Sequence, residues 1–322
     1  MSHISDVAGL RVGHASDFCA RTGTTAIVFD RPAVCGVSVL GGAPGTVETD
    51  ALRPGNLCPA VDAVTLSGGS AFGIAAAAGA QRALHQAGRG FQVGPHRVPI
   101  VPGAVVFDLG GPPPDYAALG ERAATAALTG TDRTIGTVGA GVGATTARLK
   151  GGVGSAAEAV GDDTVGALVV VNAVGAVTAA NGPWFRAAPF ERNGEFGNLA
   201  TAPQADFATV NTKLDATLGA NTTIALIATD RTLDVAAATR LARSAHDGLV
   251  LSIWPSHTLF DGDTVFAAST ATTPARADPL DQMALVTAAS RALARAVARA
   301  VYAAEAFEGD RFPTWQALYG ST

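Results

Sequence analysis

Glycine sets the terms on which this chain can pack: it holds 38 of the 322 positions, while aromatics make up only 6%. A glycine has no Cβ, so a chain this rich in it can make many tight turns and bring backbones close together. With few large rings to fill space, the interior has to be built from small and β-branched side chains in closely packed layers. The 48% hydrophobic content is enough for a large core, in one large domain or two small ones.

The periodicity supports layers. Thr24–Asp30 and Ala33–Leu40 are β-branched runs bounded by proline and glycine, and Asp62–Leu66 is a short strand entering the turn Ser67-Gly68-Gly69-Ser70. An Ala-rich helix is expected from Ala71 to Ala87, strand character returns over Val98–Leu109, and a helix over Tyr116–Leu128 stops at Gly130. Val138–Val153 holds too many glycines to be regular helix throughout. Val165–Val171 and Val174–Thr178 read as a hairpin around Asn172 and Ala173, and Asn181–Lys213 reads as a long surface loop. Beyond it come a strand at Thr222–Ala228, a helix at Leu233–His246, strands at Leu249–Ile253 and Thr264–Ser269, and a long helix from Pro279 to about Phe307. This order suggests stacked sheets with helices outside.

Charge excludes some partners. The net charge is -5, charged residues are 15%, and no block or stripe of Lys and Arg would neutralise phosphates, so nucleic acid is not expected. The most apolar stretch, Val165 to residue 180, is broken by Asn172 and falls short of a spanning helix, so no membrane is expected either. The opening residues lack the charged and apolar regions of a secretory signal, which leaves a cytoplasmic protein as the expectation. Cys19, Cys35 and Cys58 are an odd number without CxxC spacing, against both a disulfide framework and a zinc site.

Among possible nucleophiles, Ser70 follows two glycines and fits a G-x-S-x-G elbow only loosely. A threonine can be activated by its own α-amino group once it is the first residue of a chain, because that amine has a reference pKa of about 7.7 to 8.0. Asn221-Thr222, where a polar loop meets an apolar strand, is a place for such a cut through an N-to-O acyl shift. The same residues also form an N-x-[ST] sequon, and Asn before a strand is an ordinary turn residue. Spacing alone does not choose among these readings.

Five blocks in order resemble the DmpA-type aminopeptidase family, which includes β-peptidyl aminopeptidases, D-aminopeptidases and nylon-oligomer hydrolases. They are Gly9–His14, Gly41–Thr46 with Glu48, Ser67–Gly73, Asn221–Ile224 and Phe260–Thr264. The resemblance implies a four-layer αββα sandwich of mainly antiparallel sheets, like that of self-cleaving ornithine acetyltransferases. It implies a single domain, residues 1–322, cut into chains 1–221 and 222–322 that stay together in a homo-oligomer, a tetramer of αβ units. Thr222 is then the nucleophile, Lys150 the lysine that holds its amine neutral, and Asn172 the oxyanion donor. Asp261 and Asp263 would orient the amine or bind a substrate ammonium, and Ser70 and Phe107 would meet the substrate. Phe107 stands where several relatives place a tyrosine. The expected activity is an aminopeptidase on short peptides or small amides, with an endo-hydrolase of ω-amino acid oligomers or an acyltransferase as alternatives.

No cofactor or metal is called for. Gly139–Ala144 fits G-x-G-x-x-G/A, but the segment after it is too short and Gly-terminated for the helix a dinucleotide needs. His246, His257 and Asp261 could be grouped as ligands, though neither histidine sits in an i, i+4 pair. Arg291, Arg295 and Arg299 are spaced to put one basic helix face on solvent or on a neighbouring subunit.

Overall fold

The computed structural model describes residues 2–58, 60–179, 181–203, 207, 210–213, 221–272 and 279–320. Its elements in chain order are β1 (Leu10–Asp17), β2 (Thr22–Val39), β3 (Thr46–Val47), β4 (Ala60–Ser67), α1 (Ala75–Gln86), β5 (Phe91–Val93), β6 (His96–Val98), β7 (Gly103–Val105), α2 (Tyr116–Thr129), β8 (Gly152–Val160), β9 (Asp163–Asn172), β10 (Thr222–Thr229), α3 (Val235–Val250), β11 (Thr264–Ser269), α4 (Pro279–Tyr302) and α5 (Trp315–Tyr319). Among the described residues, no helix is long and apolar enough to cross a membrane.

β2 joins two sheets. Its first part pairs with β1 (Leu10↔Phe29 to Asp17↔Thr22) and with β4, and its last part pairs with β11 (Thr264↔Val39 to Ser269↔Val34). The register shifts between Val28 and Ala33, where Asp30, Arg31 and Pro32 are exposed. A proline has no N–H to offer a ladder, so it is tolerated at such an irregularity. The two strands expected on either side of Pro32 are therefore one continuous strand. From β2 outward, one sheet runs β4, β7, β3 and the other β11, β10, β9, β8. Pairing is antiparallel except for β10 with β11 and β4 with β7.

Alternation along the strands produces four layers. On β10, Ile224, Leu226 and Ala228 point with Leu168, Val170 and Phe266 towards Val12, Ile27, Phe29, Val64 and Leu66 of the other sheet. The opposite-facing Ala225 and Ile227 pack with Val169, Val171, Val265 and Ala267 against α3 and α4. On the far side, Ala26, Val28 and Ala63 meet α1 and α2. Period-2 strands with both faces buried yield this helix, sheet, sheet, helix order. The helices cross at glycine: a Cβ on Gly79 would lie 1.8 Å from the Ala117 carbonyl oxygen, and one on Gly120 would lie 1.9 Å from that of Ala76.

Several local readings differ from the structure. The hairpin partner of β9 is β8, joined through Gly161-Asp162, while Val174–Thr178 makes only isolated bridges to Trp254 and Phe185. Leu249–Ile253 is no strand. α3 runs on through Gly248 because its buried stripe Leu241, Ala245, Leu249 continues, and Gly248 is where α4 passes, with a Cβ only 2.4 Å from the Ser290 carbonyl oxygen. Pro99 and Pro102 reduce Val98–Leu109 to the last residue of β6 and the three residues of β7. Within the expected surface loop Phe185, Ala187 and Phe196 are buried in the core, whereas residues 204–206, 208 and 209 of that loop lie outside the described residues. The basic face of α4 also turns inward: Arg295 pairs with Glu195 (2.5 Å) and Glu158 (3.3 Å), and both Arg295 and Arg299 are almost fully buried. A buried guanidinium needs such carboxylates, and one of them comes from the supposed loop.

Candidate active site

The junction singled out by the sequence lies where three chain segments converge. Thr222, the first residue of β10, is in register with Asn172, the last residue of β9, and Asn221 bridges in parallel to Asp261. The Asn221 N–H donates to the Phe260 carbonyl (2.9 Å), and the Asn221 carbonyl accepts from the Gly262 N–H (2.8 Å). That carbonyl also accepts from the Thr222 hydroxyl, with Oγ1 at 2.5 Å. A hydroxyl is thus folded back onto the peptide before it, while a backbone N–H polarises the same carbonyl. Asn221 and Thr222 are both buried.

The acidic pair fixes this geometry. Asp263 Oδ1 accepts the Thr223 N–H (2.8 Å), and Oδ2 accepts the N–H (3.1 Å) and contacts Nδ1 (2.7 Å) of His257. Asp261 Oδ1 accepts the Val174 N–H (3.2 Å), and Oδ2 accepts the N–H (2.9 Å) and hydroxyl (2.7 Å) of Thr258. Burial, with the neighbouring Asp263 charge adding to it, pushes the Asp261 pKa up. All four carboxylate oxygens are engaged by the scaffold, which fits orienting the nucleophile's strand better than seizing a substrate ammonium. His257 packs edge-on against His246 (4.8 Å between ring centres), whose Nε2 reaches the Ser38 carbonyl (3.1 Å). Burial lowers the His246 pKa to about 4, so that ring is neutral. Among the described residues, no group of three His, Cys, Asp or Glu could hold a metal ion.

Asn172 is held on three sides. Its Oδ1 accepts the Thr145 N–H (3.0 Å) and the Lys213 ammonium (3.0 Å), and its Nδ2 donates to the Phe107 carbonyl (2.9 Å). These partners set which end of the amide is the donor. Lys213 also reaches the Thr145 carbonyl (2.9 Å) and hydroxyl (3.0 Å). Burial lowers the Lys213 pKa to about 7, opposed by Asp261 and then Asp108, while the Arg311 charge adds to the lowering. Lys150, the lysine chosen from the sequence, instead pairs with Asp310 (2.5 Å) and lies over the Phe307 ring (5.0 Å). Lys150 and Lys213 are the only two lysines in the chain, a sequence signal that both merit notice, and both line one cavity.

That cavity, about 160 Å³, adjoins Asn221 and is walled by Phe107, Asp108, Asp310, Arg311 and Phe312 among others. Ser70 does not line it; its N–H bonds the Val106 carbonyl (2.9 Å) and its φ is 51°. The Ser67–Gly73 block serves the cavity through its neighbour instead, since the Gly69 N–H holds Asp108 Oδ1 (2.7 Å). Burial raises the Asp108 carboxyl to a pKa of about 7, opposed by hydrogen bonds from the Gly69 N–H and the Thr22 hydroxyl. An acid set directly after Phe107 in an apolar run was the available signal. The Gly139–Ala144 motif forms a three-residue 3-10 turn here, with no helix opening behind it.

The profile of peptidase family S58 matches residues 2–313. An uncharacterized aminopeptidase of Mycobacterium leprae is 42% identical, over 99% of this chain and 94% of its own length. A 6-aminohexanoate-oligomer endohydrolase of Kocuria sp. is 30% identical, over 82% of this chain and 74% of its own. In three dimensions, the L-aminopeptidase D-Ala-esterase/amidase of Ochrobactrum anthropi superposes with a TM-score of 0.68 over 97% of this chain and 89% of its own, at 22% identity. Its description as a variant of the Ntn hydrolase fold agrees with the layers found here. With the profile spanning nearly every residue and the relatives aligned over most of their length, this chain belongs to peptidase family S58, the DmpA-type family, and is a hydrolase of peptide or amide bonds.

Proposed function

We propose that the chain is a precursor that cuts itself between Asn221 and Thr222, and that the freed Thr222 is the nucleophile of an aminopeptidase acting on short peptides or small amides. The observation that carries this reading is the Asn221 carbonyl, which lies between the Thr222 hydroxyl and the Gly262 N–H. Addition of Oγ1 to that carbonyl carbon moves negative charge onto the oxygen, where the Gly262 N–H already points. Protonation of the Thr222 nitrogen expels it as an amine and leaves an ester, which water hydrolyses.

The same parts then serve catalysis. The carbonyl of a bound substrate takes the place of the Asn221 carbonyl, so the Gly262 N–H again receives the oxyanion, with the Asn172 amide beside it. Donors aimed at developing charge are commonly worth a few kcal/mol each. The Thr222 amine relays the proton, and the nearby Lys213 ammonium favours that amine in its neutral form by like-charge repulsion. The role the sequence assigned to Lys150 passes to Lys213 in this reading. Asp108, in the cavity wall, is the acceptor for the substrate's free ammonium. A cytoplasmic tetramer of αβ units completes the proposal, and the exposed Phe91, Val93 and Val98 of the β5–β6 hairpin offer apolar surface for assembly.

Denaturing mass spectrometry of the purified protein should show two chains, residues 1–221 and 222–322, and a chain still whole after prolonged incubation would sink the self-cleavage. A panel of aminoacyl p-nitroanilides, each with a free or an acetylated amine, tests the rest. Equal turnover of both forms would refute an aminopeptidase and favour an oligomer endohydrolase of the kind named for the Kocuria relative. Transfer of the acyl group to added amines without hydrolysis would favour an acyltransferase.

A further inference from the structure

Between α4 and α5, residues 303–314 form no regular element, yet they are fastened at several points. The Glu305 N–H donates to the Thr137 hydroxyl (2.9 Å), and that hydroxyl donates to the Glu305 carbonyl (3.0 Å). Phe307 stacks on Phe18, with ring centres 4.9 Å apart. The Arg21 guanidinium donates to the carbonyls of Glu308 (2.7 Å) and Gly309. Asp310 receives both the Lys150 ammonium (2.5 Å) and the Phe307 N–H (2.7 Å), and the Lys150 N–H donates to the Pro313 carbonyl (2.8 Å). These fastenings come from the β1–β2 turn and from the glycine-rich segment, on either side of the cavity.

The segment so held carries Asp310, Arg311 and Phe312 into the cavity wall. What it leaves open is about 160 Å³. An apolar cavity of roughly 150 Å³ admits benzene, whereas pockets for larger ligands begin at about 300 Å³. One amino-acid side chain fits such a space, and Asp310, Arg311 and Phe312 are the part of its wall that the segment supplies.

We propose that residues 303–314 are a strap that ends the acyl pocket after a single aminoacyl residue, with Lys150–Asp310 as its clasp, so that substrates are read from their free amino end. Lys150 is then a specificity-determining residue, acting through the strap it holds. The inference rests on the aminopeptidase reading and assigns its limit of one residue on the acyl side to this segment.

The test uses the full chain carrying Phe18→Ala or Phe307→Ala, each of which removes the ring stack that fastens the strap and neither of which lines the cavity. The readouts are kcat/KM for an aminoacyl p-nitroanilide against an N-acetyl-dipeptidyl p-nitroanilide, and amide hydrogen exchange over residues 303–314. The expected result is faster exchange in the strap, together with at least a tenfold rise in the dipeptidyl-to-aminoacyl ratio over the wild-type protein. Faster exchange with a ratio within twofold of wild type overturns the strap as the length limit. Unchanged exchange in both variants also counts against it, since the fastenings would then not hold the segment. Hydrolysis of neither substrate, or of both equally well, by the wild-type protein would instead overturn the aminopeptidase reading, and this inference with it.

Discussion

Gly262→Ala isolates the group on which both proposed steps depend. Gly262 has no positive φ, so alanine suits its backbone and the effect of the change is steric. An added Cβ would lie 2.7 Å from Thr222 Oγ1, 2.6 Å from the Ala43 carbonyl oxygen and 3.2 Å from Pro44 Cα. Two of these separations are shorter than a carbon–oxygen contact tolerates, so the hydroxyl and the Ala43-Pro44 loop must be pushed away or the 261–263 turn must withdraw. Either movement draws the Gly262 N–H off the Asn221 carbonyl or the nucleophile off its target. Loss of one such donor costs about 10²–10³ in rate, or roughly 3–4 kcal/mol of transition-state stabilisation. Overpacking of this kind costs about 1–3 kcal/mol of stability, which a protein of this size should survive folded. The assay follows the uncut chain by denaturing gel and mass spectrometry from the end of expression, with circular dichroism to confirm the fold. Gly130→Ala is the control, because a Cβ there meets nothing within 4 Å. A Gly262→Ala precursor that matures within twofold of the wild-type rate would refute the assignment of this N–H.

Other outcomes follow from the same geometry. Thr222→Ala should leave one uncut chain without amidase activity, while Thr222→Ser should still cut; cleavage before residue 222 in the alanine variant would point to another nucleophile. Lys213→Met removes the cation on Asn172 Oδ1 and should lower kcat by about 10²-fold with little change in KM, the scale of a misplaced catalytic group, and a pure KM effect would speak against positioning. Asp108→Asn should act in two directions. The folded Asp108 pKa is raised from 3.8 to about 7, so the native state keeps a proton that the unfolded chain gives up. The stability this carboxyl contributes is full below pH 3.8 and is lost as pH rises to about 7. The variant escapes that loss, so its advantage in urea unfolding should grow from pH 4 to pH 7, by up to about 4 kcal/mol, and stay level above. Its KM for free-amine substrates should rise together with that stability, and a stability gain independent of pH would contradict the assigned cause.

The sequence alone was enough for the layered plan. β-branched runs bounded by proline and glycine, Ala-rich helical stretches, and glycines scattered through both halves specify strands, helices and close crossings, because those signals act over a few residues. The ordered blocks from Gly9 to Thr264 also led to Asn221-Thr222 and to the family. Tertiary structure decided what local pattern does not encode: which distant groups meet. Asn172, Thr222 and Asp261 come together only through strand register, with β9, β10 and the 261–263 turn drawn from separate stretches of chain. Lys150 and Lys213 read alike along the chain, and only the fold gives them different neighbours, Asp310 for one and Asn172 for the other. The arginines of α4 are spaced for a basic face on solvent or on a neighbouring subunit, and they turn inward instead because helical spacing shows which residues share a face but not where that face points. Asp108 drew no notice because a carboxylate becomes unusual only when burial removes its water, and burial is a property of the folded layers around it.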